Sequence, residues 1–320
     1  MRNFHYQLYR ITKPYAFDYI SWESDALASL PDALLYTGPD TTPEIRLRSE
    51  IETVFRENDI KAFPPIYVKF EKPPSLLVIS PRDRIAYADR CLLRQNLSAA
   101  ESESIETTVD RLGVSSLVIE LGGFGAVCPP IVNDRFPVTS TINIAVEEWF
   151  HQYLALKPLG FRYLLDSIGI QQSPEIIVLN ETFAGMVSRE IGLEIKTRYY
   201  NTTKEEGTTY NYNGFNFDTE MRKTRRIVDY YLSRGKITEA EYYMELKRKE
   251  FVAHGYHIRK LNQAYFAFHG IYGESPSSVS PIYSYLQQLR TESPTLKYFI
   301  DEVSTMRSYA DLVQSLKKES

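Results

Sequence analysis

Two kinds of hydrophobic pattern follow one another in this chain, and their order limits what it can fold into. Pro65-Ile66-Tyr67-Val68-Lys69-Phe70 alternates apolar and polar side chains like a strand, and Lys72-Pro73-Pro74 makes a turn. Leu76 to Ser80 and Ser115 to Leu121 are apolar runs of strand length. Between them, residues 82–112 read as two helices broken near Asn96-Leu97-Ser98. Ala126 to Val132 is extended, because Pro129 and Pro130 forbid helix there. From about residue 140 the period is helical nearly to the end. Strands followed by helices predict an α+β fold: a small mixed sheet with covering helices, then a mainly helical C-terminal half.

The boundaries follow from caps and breakers. Residues 12–60 are mainly helical, with Tyr15 to Trp22 leading into Ala26 to Leu30 before Pro31. A second helix there starts at Thr42-Pro43-Glu44 and runs to about Asn58. In the later half, Thr139-Ser140-Thr141 offers a cap for a helix reaching Lys157, stopped by Pro158-Leu159-Gly160. Ser173-Pro174-Glu175 opens another helix, which continues to Ile191-Gly192. Further helices are expected at about 218–234, 237–253, 258–270, 281–291, 294–304 and 308–318. The Tyr-, Asn- and Gly-rich stretch from Tyr199 to Phe217 reads as a loop long enough for a lid. The expected organisation is an N-terminal helical segment (1–60), a sheet with helices (61–138) and a helical half (139–320). The last two are expected to form one compact unit.

Charge and cysteine content exclude several functions. A net charge of −4 gives no electrostatic reason to bind nucleic acid or anionic lipid. No window approaches the roughly 18 apolar residues of a membrane helix, and no signal core follows Met1-Arg2-Asn3, so a cytoplasmic protein is expected. Cys91 and Cys128 make no disulfide framework and have no metal-ligand spacing; both read as buried or half-buried thiols. Gly122, Gly123 and Gly125 precede no Lys-Ser/Thr and no helix, so a phosphate loop is rejected for a tight turn into an edge strand. Such a strand offers backbone pairing to an extended peptide if a cleft lies beside it.

The chemistry gathers on Ile144-Ala145-Val146-Glu147-Glu148-Trp149-Phe150-His151-Gln152-Tyr153-Leu154. Glu147 and His151 stand four apart and share a helix face, with Glu148 one step round. Glu181 follows His151 after 30 residues, room for a second helix to return to the first. A ligand from such a helix completes a three-ligand site with an open position. A second polar stripe, Asn262, Tyr265 and His269, lies in Leu261-Asn262-Gln263-Ala264-Tyr265-Phe266-Ala267-Phe268-His269-Gly270. It reads either as oxyanion donors or as a buried helix whose polar groups satisfy neighbouring backbone.

Glu148-x-x-His151 followed by Leu179-Asn180-Glu181-Thr182-Phe183-Ala184 resembles the gluzincin metallopeptidases, of the thermolysin and aminopeptidase-N type. These use His-Glu-x-x-His and then a glutamate, often within Asn-Glu-x-x-Ala. The wording is closer still to an uncharacterised bacterial group with His-Glu-Trp-x-His, then Tyr-Leu, Pro-Leu-Gly and Asn-Glu-Thr. The counterparts here are Tyr153-Leu154, Pro158-Leu159-Gly160 and Asn180-Glu181-Thr182. The resemblance implies a zincin-like fold and a zinc ion held at positions 147, 151 and 181. It also implies Glu148 as general base, Tyr265 or His269 as oxyanion donor, and a peptide or protein as substrate. The family's first histidine is Glu147 here. Two carboxylates neutralise the metal more than one, so its water is less acidic and the preference for zinc over harder ions softens. Weakened or absent zinc catalysis is therefore expected, with an inactive relative that binds peptides as the alternative. No acid lies between Gly122 and Val132, which counts against aminopeptidase action.

Overall fold

The computed structural model describes residues 2–24, 42–167, 170, 173–201 and 214–318. In chain order it contains α1 (Arg2–Thr12), a 3-10 turn (Lys13–Tyr15), α2 (Pro43–Glu57), β1 (Lys69–Phe70), β2 (Ser75–Pro81) and β3 (Asp89–Leu93). Then come α3 (Ala99–Asp110), β4 (Val114–Glu120), β5 (Gly123–Phe124), β6 (Ile131–Val132), α4 (Val138–Ala155), α5 (Pro158–Ser167) and α6 (Pro174–Tyr199). The remaining described elements are helices: α7 (Phe217–Leu232), α8 (Ile237–Ala253), α9 (Gln263–His269), α10 (Ile282–Glu292), α11 (Leu296–Ser304) and α12 (Tyr309–Lys318). Over the described residues the fold is mixed α+β with two three-stranded sheets. Two compact units interleave along the chain. One takes Met1–Phe17, Pro74–Glu120 and Gly207–Val279, and the other Asp18–Pro73, Leu121–Glu206 and Ser280–Ser320. This division cuts across the sequence blocks 1–60, 61–138 and 139–320.

In the first unit, β2 is the central strand, antiparallel to both β3 and β4, with Leu77 opposite Cys91 on one side and Val118 on the other. Leu77 and Ile79 are buried with Leu8 of α1 and Ile105 and Val109 of α3. The helix expected over 82–95 is absent: Asp89–Leu93 is a strand, and residues 82–88 carry the chain back from β2. The Ser80 hydroxyl holds that connection, donating to the Arg84 carbonyl and accepting from the Ala86 N–H. An open edge on β2 to be paired overrides local helical preference. The helix after Asn96 does form, closed by a capping box between Ser98 and Glu101.

The second unit is built on α4 and α6, which run antiparallel: His151 meets Glu181 at one end and Asn143 meets Gly192 at the other. Ile142, Ala145, Val146, Trp149, Phe150 and Tyr153 make the buried stripe of α4. Trp149 is fully enclosed, 4.6 Å from the Phe55 ring, and donates to the Pro64 carbonyl at 2.8 Å. Phe183 of α6 packs edge-on between Phe150 and Phe299. The small sheet has the order β1-β6-β5, which places β5 on an edge.

Several expected ends move. The alternation at 65–70 reflects burial of Ile66 and Val68 in the helical core, and only Lys69–Phe70 pairs as a strand. Helix α4 starts at Val138, so Thr139 to Thr141 lie inside its first turn, and the Thr141 hydroxyl donates back to the Phe136 and Pro137 carbonyls. Helix α6 passes Gly192 and ends at Tyr199. Gly192 is no terminator: a Cβ there would lie 2.0 Å from Asn143 Oδ1, so glycine makes room for that side chain. Pro158 stops α4 and also begins α5. Ala26 to Leu30 and most of the Tyr199 to Phe217 stretch lie outside the described residues. Among the described residues, no helix is long and apolar enough to cross a membrane.

Candidate metal centre

The apolar stripe of α4 is buried against α2 and α6, which turns its other face, Asn143, Glu147, Glu148, His151 and Gln152, into a half-buried polar surface. Leaving a helix face with five polar side chains half-enclosed costs free energy unless they are satisfied or occupied. Glu147, His151 and the buried Glu181 bring one ligand atom each within 4.8 Å of one another. His151 Nε2 and Glu181 Oε2 are 3.6 Å apart. Two ligands of a tetrahedral zinc-sized ion stand roughly 3.3 Å apart for bonds of about 2.0 Å, so this pair is already at ligand spacing.

The neighbours fix which atoms face the centre. Asn180 Oδ1 lies 3.1 Å from His151 Nδ1. With Nδ1–H donating to that oxygen, Nε2 keeps its lone pair and points toward Glu181. Tyr163 of α5 donates to the other carboxyl oxygen, Glu181 Oε1, at 2.8 Å, and its ring lies nearly parallel to His151. Asn180 Nδ2 is buried without a hydrogen-bond partner. The donor set, one imidazole nitrogen and two carboxylates with their outer partners in place, fits a divalent cation, and the oxygen-rich balance suits ions harder than zinc as well.

Glu148 sits differently. Its carboxyl lies against β5 and the turn that follows: a Cβ on Gly123 would come within 2.4 Å of Oε1, and one on Gly125 within 2.7 Å of Oε2. These glycines exist to let the carboxyl approach the backbone, and the Gly125 N–H bonds to it. Gln152 ties the same turn down, donating to the Gly125 and Val127 carbonyls at 3.1 and 2.6 Å, and Tyr19 donates to Ala126 O. Burial pushes Glu148 up to about 8, with Glu147 and Glu181 adding to the rise against His151 and the Gly125 N–H. Burial alone would lower the pKa of His151, but Glu181, Glu148 and Glu147, with the Asn180 bond, outweigh it and hold the imidazole above its ordinary value.

Tyr265 and His269 belong to the other unit, on α9. Their ring centroids lie 4.2 Å apart with the planes tilted by 44°. Burial raises the Tyr265 phenol to about 12 and lowers His269 to about 4. Asn262 is not part of the helical stripe: it caps α9, its Oδ1 accepting from Tyr265 N–H while its amide donates to Ser116 O. In that unit a cavity of about 450 Å³ is lined by Arg82, Asp110, Glu241 and Lys260, whose charges pair with one another. Cys128 is exposed, not buried as expected, because the turn before β6 places it outward; Cys91 is half-buried.

Sequence reasoning missed Tyr163. The signal was Pro158, which suits the first turn of a helix as well as the end of one. Comparison of the chain with family models, with curated proteins and with solved structures returns no match.

Proposed function

We propose that this chain is a gluzincin-like metallopeptidase-type protein, whose metal set is Glu147, His151 and Glu181 and whose substrate is a peptide or protein. The observation that carries the reading is the convergence of these three groups within 4.8 Å beside a buried, backbone-held Glu148. A divalent cation, zinc by the resemblance, would supply Lewis-acid polarisation of a carbonyl and a more acidic water.

The chain's own residues do the rest. Glu148 holds and releases the proton: near neutral pH it is mostly protonated without a cation, and positive charge nearby favours its ionised, basic form. The Gly125 N–H keeps that carboxyl in place while its proton moves. Asn180 and Tyr163 orient His151 and Glu181. Strand β5, on the sheet edge beside Glu148, offers backbone pairing to an extended peptide. The oxyanion roles of Tyr265 and His269 rest on the sequence, and kcat for Tyr265→Phe tests them.

Glu147 favours a second reading, a relative that keeps the peptide-binding surface without hydrolysis. A second carboxylate in the ligand set weakens the cation as a Lewis acid. Metal analysis and hydrolysis of a generic fluorogenic peptide, on the parent and on Glu147→His, separate the two. One zinc per chain with hydrolysis by the parent supports the enzyme. Zinc and hydrolysis gained only by Glu147→His support the disabled relative. If neither protein binds metal, the assignment of the site is wrong.

A further inference from the structure

The Pro158-Leu159-Gly160 segment does more than turn the chain. Pro158 starts α5 with its φ already suited to a helix. Leu159 is fully buried in the core of its unit. Gly160 presses on the last turn of α4: a Cβ there would stand 2.0 Å from the Leu154 carbonyl oxygen and 2.7 Å from Ala155 N. Only glycine allows that approach, and Leu154 lies one turn beyond His151. One turn further along α5, the Tyr163 ring lies 6.3 Å from the His151 ring at an interplanar angle of 19°. Its hydroxyl reaches Glu181 Oε1 at 2.8 Å, which leaves Oε2 as the oxygen 3.6 Å from His151 Nε2.

We infer that Tyr163 is a positioning residue of the cation site, held there by the Gly160 corner, and that it commits Glu181 to offering one fixed oxygen. The inference rests on the metal reading of Glu147, His151 and Glu181 given above. A glutamate with both oxygens free can rotate or take the ion with either or both, whereas a donor on Oε1 selects one arrangement before binding. Partners of this kind are worth about 10–100-fold in metal affinity. Its hydroxyl bonds Glu181 and its ring lies alongside His151, so its effect reaches the ion through these ligands.

The test is calorimetric titration of Zn²⁺ into the metal-free full chain, parent against Tyr163→Phe, with the visible absorption of the Co²⁺-loaded proteins as a second readout. Phenylalanine keeps the ring and its packing, so a residue that merely filled space would leave both readouts unchanged. The expected result is binding of one ion by both proteins, about 10–100-fold weaker in Tyr163→Phe, with an altered Co²⁺ band. Equal affinity and identical Co²⁺ spectra overturn the inference and leave the metal site standing. No binding by the parent overturns the metal reading, and this inference with it.

Discussion

Each unit buries a group of carboxylates, and the two groups are treated in opposite ways. In the first unit, Glu106 receives two bonds from Arg259, at 2.9 and 2.5 Å, and the Val118 N–H at 2.7 Å. Asp110 is held by Lys260 at 2.9 Å and by both the N–H and hydroxyl of Ser116. Both of these acids face a full cation. In the second unit, Glu147, Glu148 and Glu181 face one another across His151, and that imidazole is the opposite charge reaching Glu148. Histidines show the same contrast. His269 is buried without charge and pushed down to about 4, while the carboxylates around His151 hold it above its ordinary value. Paired acids stiffen a fold; acids gathered around an imidazole leave negative charge for something else to neutralise.

The largest expected difference is in stability. Glu106→Ala leaves the buried Val118 N–H without its acceptor and the exposed Arg259 guanidinium without its partner, and is expected to cost about 3 kcal/mol in urea unfolding. A loss below about 1 kcal/mol would show that the first cluster is not the structural one. Next comes His269, whose folded pKa lies below its unfolded one. Its contribution is full above about pH 6.5 and is lost as the pH falls toward 4, a swing of roughly 3 kcal/mol. The His269→Gln variant should have a correspondingly flatter stability profile across that window; an unchanged profile would mean the ring is solvated. The third effect has the opposite sign. Glu148 has a raised pKa, so its ionisation opposes folding increasingly from about pH 4.5 to 8. Glu148→Gln is then expected to stabilise the metal-free protein by roughly 3 kcal/mol at pH 7 and by little below pH 4.5. Destabilisation at pH 7 would erase the contrast between the clusters.

How much of this was legible in the residues depends on whether the signal was local. The apolar runs that became β2 and β4, and the capping box at Ser98, announce themselves over a few positions. So do the spacing of Glu147 and His151 and the return of Glu181 on a second helix. Asp89–Leu93 could not be read that way, because what makes it a strand is the pairing partner at Ser75–Ile79. Gly123, Gly125, Gly160 and Gly192 look like turn or cap residues, yet at each one another group occupies the place of a side chain: Glu148, Glu148, the Leu154 carbonyl and Asn143. Such close approaches are tertiary facts with no local signature. Tyr163 was hidden for the same reason, since its role depends on the corner at Gly160.

If the second cluster is built to hold a cation, titration of the ion into the metal-free protein shows it. Zn²⁺ and Mn²⁺ are added to the metal-free protein and to Glu181→Ala under calorimetry, in two buffers of different ionisation enthalpy. Expected are one site per chain, proton release on binding because Glu148 is mostly protonated near neutral pH and nearby positive charge ionises it, and loss of the site in Glu181→Ala. Binding that survives Glu181→Ala unchanged, or no binding to the parent by either ion, would contradict it.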